Sequence, residues 1–152
     1  MKKRPLLTTR PCPCGSGQPY SACCRPWHKG QAAETAEQLM RSRYAAYALT
    51  LPDYLIATTH PDSPHWETDQ ATWRRGLQQF SRETKFVGLT ILQATETGDT
   101  ATVTFSAALT QNGRDASIFE QSLFERVNGR WLYLKAMNNE QRTNEVLALD
   151  GL

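Results

Sequence analysis

No run of apolar residues in the chain approaches the roughly 20 that a helix needs to cross a bilayer. The basic start, Lys2-Lys3-Arg4, is followed by Pro5 and soon by Thr8, Thr9 and Arg10, not by the apolar core of an export signal. Neither a membrane span nor secretion is expected, and the address that follows is cytoplasmic. Acidic residues are missing from the first 30 positions, which hold six basic ones: Lys2, Lys3, Arg4, Arg10, Arg25 and Lys29. The remaining eleven Lys and Arg face all fifteen Asp and Glu, so a head of +6 precedes a body of −4. Also missing are a nucleophile elbow, a phosphate-cradling glycine loop and a dinucleotide fingerprint, which removes the common sequence-readable enzyme classes. Cysteine is absent after position 24.

All four cysteines are instead crowded into thirteen positions, as Cys12-Pro13-Cys14, eight intervening residues, then Cys23-Cys24. Where thiols stay reduced, such clustering points to a metal more than to disulfides or loose thiols. Zinc takes four tetrahedral ligands in structural sites, and two close pairs separated by a turn can surround one ion. Gly15 and Gly17 can take positive φ and turn backbone N–H groups towards the sulfurs. His28 is a substitute ligand in principle, but with four cysteines available a packing role is the expectation. Four thiolates around Zn²⁺ leave a charge of −2 that the basic head can offset, which weakens a nucleic-acid reading of that charge.

The run Cys12-Pro13-Cys14-Gly15-Ser16-Gly17-Gln18-Pro19-Tyr20-Ser21-Ala22-Cys23-Cys24 resembles the SEC-C motif, a zinc knuckle found at the carboxyl end of the bacterial preprotein translocase motor. It departs at Pro19, where that motif usually has lysine. The resemblance implies a structural zinc held by Cys12, Cys14, Cys23 and Cys24, and a docking role for the knuckle.

A chain of 152 residues accommodates one ordinary domain plus a small appendage. Beyond Gly30 the spacing turns helical. Ala36, Leu39, Met40, Tyr44, Tyr47, Ala48 and Leu51 form one stripe, Pro52 opens a short second helix with Tyr54, Leu55 and Ile56, and His60-Pro61 ends it. After a loop, Asp69 caps a third helix with Trp73, Leu77 and Phe80. From Lys85 the period becomes two: Val87, Leu89 and Ile91, then Ala101, Val103, Phe105, Ala107 and Leu109, then a strand from about Ala116 to Val127, then Arg130 to Lys135. Gly98-Asp99, Asn112-Gly113 and Asn128-Gly129 separate them, so a four-stranded antiparallel meander is expected. Helices followed by a meander indicate an α+β domain with helices on one face of the sheet.

That order resembles the cone-like fold of the nuclear-transport-factor-two-like class. Leu39-Met40-Arg41-Ser42-Arg43-Tyr44-Ala45-Ala46-Tyr47, Asp53-Tyr54-Leu55 and Thr59-His60-Pro61, with the knuckle in front, are similar to the YchJ family of bacterial proteins over nearly the whole chain. Many members carry a second, carboxyl-terminal knuckle; without a cysteine there, roles that need two zinc sites are not expected here. The expected organisation is a knuckle and basic head at 1–30, the α+β domain at 31–137, and a polar tail at 138–152.

Cone folds often host acid–base chemistry in their cavity, which makes Tyr44, Tyr47, Tyr54, His60, Glu120, Trp131 and Tyr133 candidate lining residues. Glu120 and Ser122 share a strand face with Ile118 and Phe124. Each also has a plain structural reading, in core or at surface, and Arg41, Arg43, Arg74 and Arg75 are read as solvated arginines with packed stems. Two functions therefore stand: a zinc-binding module docking on a protein, or less readily on RNA, and an enzyme or small-ligand binder using the cone. The first is preferred, with no catalytic residue assigned.

Overall fold

The computed structural model describes residues 9–137. Lys2, Lys3 and Arg4 of the basic head, and the expected tail, lie outside the described residues. The cysteine segment folds through a single 3-10 turn, Tyr20–Ala22, into the one-turn helix α1 (Arg25–His28). Then come α2 (Ala36–Leu49), α3 (Pro52–Ala57) and α4 (Gln70–Glu83). The three long-range helices are those read from the apolar spacing.

Their ends follow from local chemistry. The Thr35 hydroxyl accepts the Gln38 N–H at 3.1 Å and Glu37 sits in the first turn, so one orphan donor and the positive dipole end of α2 are both satisfied. α2 stops at Thr50, whose backbone turns left-handed at φ 58°, and the Leu51 N–H reaches back to the Ala46 carbonyl at 2.8 Å. Pro52 then starts α3 where a missing N–H does no harm. Asp69 caps α4 by accepting from the Thr72 N–H at 3.2 Å.

The sheet comprises β1 (Thr84–Thr97), β2 (Thr100–Gln111), β3 (Arg114–Asp115), β4 (Ile118–Val127) and β5 (Arg130–Ala136). Neighbours run β1-β2-β4-β5, all antiparallel, with β3 paired to β2 alone. Asn112-Gly113 and Asn128-Gly129 have φ of 52° and 76°, and 52° and 80°, the double left-handed backbone that a tight two-residue hairpin requires.

Two strand expectations are corrected. The strand expected from about Ala116 starts two residues later, at Ile118: the Ala116 N–H still donates to the Leu109 carbonyl at 2.9 Å, but Asp115 Oδ1 accepts the Ser117 N–H at 2.9 Å and Ser117 Oγ takes up the Leu109 N–H at 3.2 Å. In β1 the register slips between Phe86 and Gly88 and between Ile91 and Gln93. These bulges turn Val87, expected to share a face with Leu89 and Ile91, out to 61% exposure. Together with a third slip at Leu123/Phe124 they bend the sheet around α2.

In the hollow, Leu39, Met40, Tyr44 and Tyr47 of α2 share one core with the inward residues of β2, β4 and β5. Arg43 is there too, only 2% exposed, which corrects the expectation of a solvated head. Its Nη1 donates to the Leu55 carbonyl and to the Thr58 and Thr59 hydroxyls at 3.0, 2.8 and 3.2 Å, and its guanidinium lies 4.9 Å from the Tyr133 ring centroid. The turn after α3 supplies the acceptors that make this burial tolerable. The open edge of β5 is capped by the same turn: the Tyr133 N–H donates to Thr58 and its carbonyl accepts from His60, both at 2.8 Å. Among the described residues no helix is long and apolar enough to cross a membrane.

Candidate metal centre

The segment before α1 is a small hairpin. Pro11 and Pro19 form a bridge, the Cys12 N–H donates to the Gln18 carbonyl at 2.8 Å, and Tyr20 N–H closes on Arg10 at 2.8 Å. Gly15 and Gly17 take φ of 80° and 85° at its tip. The Gly15 N–H goes to the Cys12 carbonyl at 3.2 Å, and the neighbour of a sulfur is the Ser16 hydroxyl, 3.1 Å from Cys23 Sγ. Cys12 and Cys14 ride on this hairpin, while the 3-10 turn and the start of α1 present Cys23 and Cys24 opposite them.

The four sulfurs lie within 4.8 Å of one another, with edges of 3.5 Å from Cys14 to Cys23 and 3.9 Å from Cys23 to Cys24. A disulfide needs about 2.05 Å, and all four cysteines are free. Sulfurs at about 2.3 Å from a tetrahedral ion stand about 3.8 Å apart, so the donor set fits a divalent soft-acceptor metal. Cys12, Cys14 and Cys24 are buried and Cys23 is half-buried.

The closeness of the sulfurs also shifts their proton affinities. Hydrogen bonds from Cys12, then Cys24, hold the Cys14 thiol far below its ordinary value; the bond to Cys14 pushes Cys12 up to about 12, and bonds to Cys12 and Cys14 raise Cys24. A metal ion would displace thiol protons on binding.

The knuckle is seated on the body. His28 Nε2 donates to the Ser42 carbonyl at 2.8 Å and its Nδ1 accepts the Tyr20 hydroxyl at 2.7 Å, so both ring nitrogens are occupied and His28 packs instead of ligating. Burial lowers its pKa below the ordinary imidazole value. Arg41 Nη1 donates to the Cys14 carbonyl at 3.0 Å while its Nε pairs with Glu37 at 3.3 Å. Ala45 and Leu49 of α2 pack on the cysteines, and a Cβ at Gly15 would come within 3.4 Å of the Leu89 carbonyl on β1. None of these anchors was read from the sequence. His28 and Arg41 were visible as residue types, but their partners are long-range.

The candidate cavity residues divide. Tyr44, Tyr47, Glu120 and Tyr133 are buried in the hollow of the sheet. Glu120 Oε2 accepts from Ser122 Oγ and, at 3.2 Å, from the Tyr133 hydroxyl. His60 is 7% exposed and fastened by its own neighbours, Nε2 to Glu125 at 3.0 Å and Nδ1 accepting from the Asp62 N–H at 2.9 Å. Tyr54 and Trp131 face a different space, a pocket of about 310 Å³ between α1, α3 and β5.

Comparison with known proteins matches these two parts. The model of the YchJ middle NTF2-like domain covers residues 35–136, and that of the SEC-C motif covers residues 10–26. A UPF0225 protein of Deinococcus radiodurans is 43% identical over 129 residues, spanning 84% of this chain and 88% of its own. The solution structure of a SEC-C motif containing protein from Rhodopseudomonas palustris is 34% identical with a TM-score of 0.72, covering 84% of this chain and 98% of that one. The crystal structure of a SEC-C motif containing protein from Psychrobacter arcticus has a TM-score of 0.70 at 26% identity, covering 84% and 82%.

Proposed function

The chain belongs to the YchJ family, also named UPF0225, and from that premise we propose that it is a zinc-dependent binding module whose knuckle presents a basic surface to an acidic face of a protein partner. The ion is zinc, held by Cys12, Cys14, Cys23 and Cys24. It supplies a cross-link between the hairpin and the start of α1. The observation that carries this reading is the closed set of four converging sulfurs, which leaves no ligand position for water or substrate. A metal enclosed in this way shapes a surface. Such a site needs reduced thiols, which suits the cytoplasm.

Around the knuckle, Arg10 and Lys29 are exposed and Arg25 is half-buried, and among the described residues none of the three has a carboxylate within ion-pair distance. A protein partner is favoured over RNA because the knuckle offers few aromatics to stack on bases: Tyr20 is 6% exposed and bonded to His28, which leaves the half-buried Trp27 alone.

The test is capture with immobilised zinc-loaded full chain, beside Arg10→Glu/Lys29→Glu, which leaves every cysteine in place, and Cys23→Ser/Cys24→Ser. The expected result is one set of acidic protein partners, lost with both variants and insensitive to nuclease. Partners retained equally by both variants would refute docking through the knuckle, and nuclease-sensitive capture would replace the protein partner with RNA.

A further inference from the structure

The pocket of about 310 Å³ that Tyr54 and Trp131 face is separate from the cone interior around Glu120. Its volume lies at the lower end of the range for small-molecule sites. Its lining includes Trp27 of α1, Leu39 of α2, Tyr54 of α3 and Trp131 of β5, together with residues 30–33. Half-buried Trp27 and Tyr54, with the nearly buried Trp131 and Leu39 behind them, give the pocket an apolar, aromatic lining.

Two charged side chains border the pocket, and they are not equivalent. Asp53 is already paired, its Oδ1 accepting from Arg74 Nε at 2.8 Å. Arg130 is exposed at the rim and gives one Nη2–H to the Gly30 carbonyl at 3.3 Å. Among the described residues no carboxylate lies within ion-pair distance of Arg130. The polar atoms deeper in the wall are likewise engaged: the Tyr54 hydroxyl is 2.6 Å from Ser42 Oγ, both His28 nitrogens are bonded, and Trp131 Nε1 donates to the Glu34 carbonyl at 3.3 Å. Besides the Gln31 amide, the charged group at the rim without a carboxylate partner is the Arg130 guanidinium, which prefers a planar, two-oxygen anion.

We infer that this pocket binds a carboxylate carried on a flat apolar body, with the rings of Trp27, Tyr54 and Trp131 holding the body and Arg130 the carboxylate. The inference rests on the pocket and not on the docking role of the knuckle. The same chemistry has two sources, a free aryl carboxylate or the carboxyl terminus of a peptide ending in an aromatic residue.

The experiment uses zinc-loaded full chain labelled with ¹⁵N, following the four indole N–H signals while 2-naphthaleneacetate, its uncharged amide, or N-acetyl-Gly-Gly-Phe is added. Trp27 and Trp131 line the pocket, whereas Trp73 does not and serves as an internal control. The acid is expected to shift Trp27 and Trp131 while Trp73 stays still, with the amide about tenfold weaker. Arg130→Gln should bring acid and amide to equal affinity. Ala57→Phe, at an exposed wall position, should abolish both shifts. Tighter binding of the peptide than of the aryl acid names the chain terminus as the source, and the reverse names the small molecule. Acid and amide binding alike to the unaltered chain, shifts that survive Ala57→Phe, or no shift by any probe at millimolar concentration would each overturn the inference.

Discussion

His28 Nε2 donates its proton to the Ser42 carbonyl at 2.8 Å, which joins the residue four positions after the last cysteine to the middle of the central helix. With Nδ1 occupied by Tyr20, the imidazole is a strut between the cysteine hairpin and the body.

His28→Phe should therefore keep its full zinc content while lowering stability by about 1–3 kcal/mol, since the Tyr20 hydroxyl and the Ser42 carbonyl lose a buried partner. Elemental analysis and denaturant unfolding measure the two outcomes. The substitution should also remove a pH dependence. Burial holds the folded imidazole below its ordinary value, so the unfolded chain takes up its proton first as pH falls through about 6.5, and stability declines from there towards the folded pKa. Loss of zinc from the variant would make His28 a ligand after all.

Arg41 and Arg43 lie two positions apart on α2 and should respond very differently. Arg43→Ala strips a buried guanidinium from three oxygen acceptors and should cost about 3 kcal/mol or more. Arg41→Ala removes a half-exposed ion pair and one bond to the Cys14 carbonyl, worth about 1 kcal/mol together. Unfolding free energies of the two variants compare them directly, and equal losses would contradict the burial of Arg43.

The cap at the start of α2 is an independent local prediction. Thr35→Ala should destabilise the chain by about 1 kcal/mol, and Thr35→Ser should restore most of it, because only the hydroxyl acceptor for the Gln38 N–H matters.

Removal of metal should loosen the hairpin without dissolving the sheet. The core of α2 to β5 is contiguous without the cysteines, which cluster separately with Ala45. Circular dichroism should keep its helix and sheet signal with chelator while the melting temperature falls, and acid should release the ion as the thiolates take up protons. Complete unfolding on chelation would show that the body depends on the knuckle.

What the sequence disclosed was local. Cys12, Cys14, Cys23 and Cys24 sit within thirteen positions, so their convergence is a property of one turn. Thr84 to Ala136 carry a period of two broken by Gly98-Asp99, Asn112-Gly113 and Asn128-Gly129, and the hairpins fall there. What it concealed depends on partners far along the chain. Val87 reads as sharing a face with Leu89 and Ile91 until the ladder with β2 inserts a bulge at its position. Arg43 reads like Arg41 until α3 folds back and brings Leu55, Thr58 and Thr59 to its guanidinium. The break before β4 had a local signal that went unread, Asp115 two residues before Ser117, the spacing of a side-chain-capped turn. The seating of the knuckle joins His28 to Ser42 and Arg41 to Cys14, pairings that residue spacing does not encode.

X-ray absorption at the zinc edge of reduced, freshly purified protein probes the centre most directly. The prediction is one zinc per chain, surrounded by four sulfur atoms at about 2.3 Å with no oxygen or nitrogen in the shell. Protein without bound metal, or a shell containing a nitrogen or an exchangeable water, would contradict a closed four-thiolate site.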